Sequence, residues 1–148
     1  MPIKMETEKR VIFTLQSIQE ERFVKNDDAV SPEVLQVQYL IETEVNPVNE
    51  SIVARTGVRY LVEENIVCEM VLVIRFTIAD YHSVVSIDES SKKITFTSNI
   101  VPTFLNITYG ALRGALYEKV KGTQLESYPL PPMLVTDLEK LNHFKVIS

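Results

Sequence analysis

The sequence predicts an α+β fold, in which a four-stranded antiparallel sheet is followed by a long helix, a proline-rich crossover and a short C-terminal helix. Apolar and polar residues alternate through most of the first half of the chain, which is typical of strands. A helical period replaces this alternation from about residue 100 onwards. A length of 148 residues suits one core, so we expect residues 1–148 to form a single domain.

The first two strands follow from alternation. In the first strand, apolar residues alternate from Val11 to Leu15 and lose their phase before Ile18, which predicts a bulge or a bend. The polar stretch NPVNES after the second strand predicts a turn from Asn46 to Ser51. The second strand itself carries four alternating apolar residues after Ser31-Pro32: Leu35, Val37, Tyr39 and Ile41.

The next two strands are marked by a glycine and by an unusually apolar run. Gly57 lies inside the strand from Ile52 to Val62, which predicts a bulge or a close backbone approach. The segment IVCEMVLVIRFTI, Ile66 to Ile78, is apolar at almost every position. An antiparallel strand usually has one solvated face, so we expect a partner subunit or an apolar ligand to cover its second face. The alternative is a strand that is central in the chain's own core.

A hairpin and the long helix follow. The segment from Val84 to Thr97 predicts a short hairpin with a Glu-Ser-Ser-Lys turn. Ser98 or Asn99 is expected to cap the next helix, with Pro102 in its first turn. Gly122 is a suitable residue to end that helix, because glycine readily adopts a left-handed conformation.

The last two segments are a crossover and a short helix. The proline-rich segment SYPLPP, Ser127 to Pro132, predicts an extended, stiff crossover. A final helix is predicted from about Met133 to Phe144, with three leucines along one stripe: Leu134, Leu138 and Leu141.

The long helix has two apolar sectors on a helical wheel. One contains large residues and predicts the core-facing side: Leu105, Tyr109, Leu112, Leu116 and Val120. The other is mostly small, with Gly110 just beyond its edge: Phe104, Ile107, Gly110, Ala111, Gly114 and Ala115. Because each helical glycine costs about 0.5–1 kcal/mol, we expect this small sector to pack against a helix of another subunit. Packing on the chain's own last helix is the alternative.

Three blocks of the sequence, FTLQSI in the first strand, PEV before the second and Cys68-Glu69 in the fourth, together resemble the SecB family of cytoplasmic export chaperones. FTLQSI, Phe13 to Ile18, resembles the family's first strand, and PEV, Pro32 to Val34, resembles the start of its second. The Cys68-Glu69 pair and the Phe-Thr-Ile of residues 76–78 resemble its fourth strand, with the same spacing. Six later positions follow the family's outline: Pro102, Leu105, Lys121, Gly122, Pro132 and Leu138.

This resemblance implies a cytoplasmic homotetramer, a dimer of dimers, that binds unfolded or precursor polypeptides without a cofactor. It implies that sheets and long helices meet between subunits. It also implies long apolar grooves lined by the second strand, the crossover and the last helix. The candidate groove residues are Val37, Tyr39, Ile41, Tyr128, Leu130, Met133, Leu134, Leu138 and Leu141.

The resemblance also bears on partners. Export members present acidic residues after the first strand for docking the export motor ATPase, whereas Arg22 and Lys25 stand among the acids here. Glu69 matches an acidic position linked to that docking. Some members of the family escort antitoxins, and the chain could resemble these instead. An antitoxin is therefore an alternative client.

Composition disfavours other function classes. The net charge of −5 and the lack of a basic patch disfavour nucleic-acid binding. The polar start of the chain is unlike a signal peptide, and the longest apolar run is too short to insert in a membrane. One cysteine and two isolated histidines, His82 and His143, indicate neither a metal site nor a catalytic residue, so no enzyme activity is expected.

Two alternatives to a chaperone remain open at this stage. The chain could be an oligomeric structural or assembly subunit that has the same fold and binds no client. An acyl-binding enzyme of hot-dog type is the other alternative, although that class usually places its helix early, and four strands precede the helix here.

Overall fold

The computed structural model describes residues 12–26, 35–97 and 99–146. The strands of this part of the chain are β1 (Phe13–Lys25), β2 (Leu35–Asn46), β3 (Ser51–Val62), β4 (Asn65–Ile78), β5 (Val85–Ile87), β6 (Ile94–Phe96) and β7 (Asn142–Val146). The helices are α1 (Tyr81–Val84), α2 (Val101–Val120) and α3 (Val135–Leu141), and a 3-10 turn lies at Gln124–Ser127.

The main sheet has the strand order β1-β4-β3-β2-β7. Its first four strands are antiparallel, and the long α2 and the short α3 follow them, so the predicted α+β architecture is confirmed. The predicted bulge in β1 is also confirmed, because the pairing with β4 shifts between Leu15 and Ser17. A second shift, between Glu20 and Arg22, leaves the adjacent residues Glu21 and Arg22 pointing over the same face of the sheet.

The last helix is shorter than the sequence predicted. α3 ends at Leu141, and residues 142–146 form β7, which pairs in parallel with the second half of β2. The predicted helix to Phe144 is therefore wrong over its last residues. The strand is favoured because the edge of β2 offers backbone partners from Ile41 to Val45, and a helix at this point would leave them unpaired.

The long helix α2 crosses one face of the sheet and carries the core. Pro102 lies in its first turn, and Gly122 follows its end with a φ of 77°, as predicted. The predicted polar cap is wrong for Asn99, because the helix begins after Ile100 without a side-chain cap. Ser98 lies outside the described residues. Ile100 is buried, so packing holds this end of the helix instead.

The large-residue sector of α2 faces the sheet, as predicted. Its five members are all buried against the even-numbered residues of β3 and β4. The main core cluster joins them to residues that include Val58, Tyr60, Cys68 and Met70. We call the side of the sheet that faces away from α2 the outer face. Among the described residues, no helix is both long and apolar enough to cross a membrane.

Candidate functional site

The crossover after α2 is held in place by three hydrogen bonds to its carbonyl groups. The hydroxyl of Tyr60 donates to the Tyr128 carbonyl at 2.7 Å, and that of Tyr109 donates to the Pro131 carbonyl at 2.6 Å. Nε of Arg113 donates to the Leu130 carbonyl at 3.1 Å. The crossover is thus fixed to both the sheet and α2, because its donors come from β3 and from the helix.

The two tyrosines that hold the crossover lie in an apolar environment. Burial raises the pKa of both Tyr60 and Tyr109 above the ordinary value of 10.0, because an ionised phenol would lose its hydration there. The ring of Tyr39 packs edge-on against that of Tyr109, with 6.4 Å between centroids. Together these rings form the floor beneath the crossover.

The candidate groove residues divide into two groups. Three of them, Ile41, Leu130 and Leu138, are buried members of the core and are not accessible to a ligand. The other six are half-buried or exposed: Val37, Tyr39, Tyr128, Met133, Leu134 and Leu141. We call these six the rim. The structure therefore brings two-thirds of the predicted set to the surface.

One half of β2 has an open edge beside this rim. β7 pairs with β2 only from Ile41 to Val45. Among the described residues, no strand pairs with the Leu35–Leu40 half of β2 on the side away from β3. Every second backbone N–H and C=O of that half therefore points outwards. No pattern in the sequence indicates this open edge, since strand order is a property of the whole sheet.

The small sector of α2 is exposed only at its two glycines. A Cβ added at Gly110 or Gly114 would meet no atom within 4 Å. Phe104 differs from the rest of the sector, because it is buried in the chain's own core against Phe13 and Phe76. Ile107, Ala111 and Ala115 are half-buried at the core's margin.

Two exposed residues of β1 adjoin this sector, and the sequence analysis did not single them out as exposed. Leu15 is 43% exposed and Ile18 is 51% exposed, and their register partners Phe76 and Ile74 show that they point to the α2 side. Small residues on the facing side of α2 leave this strip of β1 uncovered. The result is an apolar trough between β1 and α2.

Glu69 is not an accessible acidic residue. Its side chain is 6% exposed, and it pairs with Arg22 on β1 and with Arg59 on β3. Each carboxylate oxygen is engaged by one of the two arginines. A partner would have to displace both ion pairs to reach the Glu69 carboxylate.

The outer face of β4 is covered by the chain's own side chains. Beyond the Arg22–Glu69–Arg59 row, Arg55 on β3 pairs with Glu21 on β1 and with Glu44 on β2. Between these two rows lies a shallow hollow of about 290 Å³ over Gly57. The sequence led us to expect a partner or ligand on this face. Two rows of the chain's own arginine–glutamate ion pairs lie over it instead. Among the described residues, no group of His, Cys, Asp and Glu is placed to hold a metal ion.

No family model matches the sequence, and no curated protein matches it either. Among solved structures, the chain is similar to a SecB-like chaperone of Mycobacterium tuberculosis in complex with a ChAD peptide from an antitoxin. The match has 12% sequence identity and a TM-score of 0.49, and it covers 82% of this chain and 89% of that chain. Any function for this chain therefore has to be supported by its own residues.

Proposed function

We propose that the chain is a single-domain, SecB-like holdase of the cytoplasm that binds extended segments of unfolded polypeptides without ATP. The observation that carries the proposal is the open Leu35–Leu40 edge of β2 beside an apolar rim. An open strand edge and exposed apolar side chains are the two features that an unfolded chain can use whatever its sequence.

Binding to the edge proceeds by strand addition. A client segment in extended conformation exchanges main-chain hydrogen bonds with the outward N–H and C=O groups of Leu35–Leu40. These bonds do not depend on the client's side chains, so the site accepts many sequences. Alternate side chains of the client then lie over Val37 and Tyr39 on the α2 side of the sheet.

The rim supplies the apolar contact. Met133 and Leu134 stand at the end of the crossover, and methionine adapts to side chains of different shape. The three hydrogen bonds to the crossover carbonyls keep this side of the groove open and in one position. A pre-formed groove lowers the entropic cost of binding a disordered chain.

The proposal includes assembly with further copies of the chain, as a dimer of dimers. The trough between β1 and α2 is the surface proposed for a second copy. It is apolar, and Gly110 and Gly114 allow a helix backbone to approach closely. Burying Leu15 and Ile18 there removes the largest exposed apolar strip of β1 from water.

The proposal is tested by the aggregation of a denatured client protein on dilution, followed by light scattering. The wild-type chain is expected to suppress scattering at near-equimolar ratio. Leu134→Asp is the rim variant of choice, because residue 134 is the N-cap of α3, where aspartate favours the helix. This variant is expected to keep its fold and to lose suppression several-fold.

A matched control separates the groove from general surface hydrophobicity. Val48 lies in the β2–β3 turn and is 80% exposed, comparable with 71% for Leu134. Val48→Asp is expected to suppress aggregation as the wild type does. Suppression that decreases equally in Leu134→Asp and Val48→Asp contradicts the proposed holdase. So does a wild-type chain that never suppresses aggregation, and either result favours a structural subunit. An export precursor and an antitoxin serve as the two test clients, and thioester hydrolysis would favour the enzyme alternative.

A further inference from the structure

An open cleft lies on the α2 side of the sheet, at the opposite end of β2 from the groove. It runs between the β5–β6 hairpin and β7, has a volume of about 470 Å³, and is lined by Lys92, Lys93, Ile94, Phe144 and Val146. A second cleft of about 440 Å³ adjoins it and shares Lys92 and Val146. The two form one elongated depression that bends around the tip of the hairpin.

The floor of this depression is apolar. Phe144 is 48% exposed, and its ring lies 5.9 Å from the ring of Phe96 on the hairpin. Phe144 points to the α2 side, since its register partner Thr43 is buried there. Ile94 and Val146 are half-buried and extend the same surface. An extended client can therefore lay apolar side chains along it.

Two lysines are held over this floor by a rigid turn. Lys92 has a φ of 57°, and its N–H donates to the Asp88 carbonyl at 2.7 Å, while the Asp88 N–H donates to the Lys93 carbonyl at 2.9 Å. The Asp88 carboxylate accepts from the N–H and the hydroxyl of Ser90, at 2.9 and 2.7 Å. The Asp88 carboxylate is thus occupied by the turn itself, and Glu89 lines the adjoining cleft without an ion pair to either lysine.

The lysines have no acidic partner within the described part of the chain. No carboxylate of those residues lies within 4.0 Å of the ammonium group of Lys92 or Lys93. In a chain whose net charge is −5, two adjacent cations beside an apolar cleft are an exception to the general charge. Their complement is an anionic group attached to an apolar body.

We propose that this cleft binds an extended acidic segment of a polypeptide, with a carboxylate on Lys92 and Lys93 and an adjacent apolar side chain on Phe144 and Ile94. The inference rests on the proposed function and adds a second, charge-selective contact for the same clients. A peptide fits better than a small acid, because the cleft is open and elongated and would leave a small ligand largely solvated. β7 is also the last strand of the sheet, so a peptide can pair with its outer edge.

The test uses a short fluorescent peptide in which two glutamates alternate with leucine and phenylalanine, and a second peptide with glutamine at both positions. Fluorescence anisotropy gives their affinities for the full chain. The glutamate peptide is expected to bind about tenfold more tightly than the glutamine peptide. Its affinity is expected to decrease as salt is added. A Lys92→Gln, Lys93→Gln double variant is expected to remove that difference.

A matched control removes a lysine from the other face of β7. Lys145 pairs in register with Glu44 and points to the outer face, so Lys145→Gln changes the net charge without changing the cleft. This variant is expected to keep the preference for glutamate. Phe144→Ser is expected to weaken the binding of both peptides, because it removes the apolar floor that both of them contact.

Three results would overturn the proposal. The first is equal affinity for the two peptides, and the second is a loss of the glutamate preference in Lys145→Gln as large as in the Lys92→Gln, Lys93→Gln double variant. The third is lysine-dependent binding of oleate without binding of the peptide. The last would assign the cleft to an anionic lipid. Aggregation of a client without acidic residues, measured in the same variants, separates this inference from the proposed function. If the chain suppresses aggregation but shows no glutamate preference, only the proposed acidic-peptide cleft is rejected. If it shows a glutamate preference but does not suppress aggregation, only the proposed holdase function is rejected.

Discussion

Arg55 on β3 forms a bidentate ion pair with Glu21 on β1, although β4 lies between these two strands. Its Nε lies 2.9 Å from Oε2 of Glu21, and its Nη2 lies 3.3 Å from Oε1. The ion pair therefore spans β4 at the level of Val73, the register partner of Arg55. This relationship explains how β4 can be apolar on both faces: one face is covered by α2, and the other by the stems and ion pairs of arginines.

Removal of the Arg55 side chain is expected to destabilise the fold. Arg55→Ala uncovers Val73 and leaves Glu44, whose side chain is 9% exposed, without its partner. We expect a loss of about 1–3 kcal/mol in the free energy of unfolding, from urea denaturation. Glu21→Gln is the control, because Glu21 is half-exposed and its pair is worth at most about 1 kcal/mol. An Arg55→Ala midpoint equal to that of the wild type would show that the arginine does not cover β4.

Gly57 and Gly110 are expected to respond in opposite directions to alanine. At Gly57 a Cβ would lie 3.0 Å from Cγ2 of Val71 and 3.1 Å from the carbonyl oxygen of Met70, so β3 or β4 would have to move. We expect Gly57→Ala to cost about 1–3 kcal/mol. Gly110 is in a helix with open space around it within the single chain, so Gly110→Ala should stabilise the monomer by about 0.5–1 kcal/mol. Thermal unfolding of both variants checks this contrast. The prediction is wrong if the two unfolding midpoints shift in the same direction.

Gly114→Leu is expected to separate folding from assembly. The added side chain meets no atom within 4 Å in the chain itself, and leucine favours a helix, so the monomer should be at least as stable as the wild type. In the proposed oligomer the same side chain blocks the close approach of a second helix. Light scattering after size exclusion should therefore show a lower mass. Thr136→Leu, at an exposed position of α3, is the control, and an unchanged mass for Gly114→Leu would reject this interface.

Alkaline pH is expected to loosen the crossover. The pKa values of Tyr60 and Tyr109 lie above their ordinary value of 10.0 because burial disfavours the phenolate. The folded state therefore holds these protons more tightly than the unfolded state. Their contribution to stability is complete below about pH 10 and is lost as the pH rises from there towards the raised values.

The measurement is the urea midpoint as a function of pH, with tyrosinate absorbance to follow ionisation. A Tyr60→Phe, Tyr109→Phe double variant is expected to be less stable at neutral pH and to show a smaller decrease above pH 10. If the wild-type and the double variant lose stability in parallel, these two phenols do not account for the alkaline transition.

Local patterns predicted much of the fold. The phase slip after Leu15 located a bulge, Pro102 and Gly122 marked the ends of α2, and the wheel of α2 identified its core side. These features depend on neighbours in sequence or on one element's period, so the sequence carries them directly. The groove could be predicted only in part, because the same alternation describes a core wall and a groove wall. Val37 and Ile41 have equal patterns, yet only Ile41 is buried.

The sequence by itself determined the α+β class, the order of the first four strands and α2, and the core-facing side of α2. Tertiary structure alone decided that β7 pairs with only half of β2, which leaves the Leu35–Leu40 edge open. It also decided that Glu69 and Arg55 are paired across strands rather than exposed. The physical reason is that these outcomes depend on contacts between residues far apart in the chain, whose energies no local pattern records.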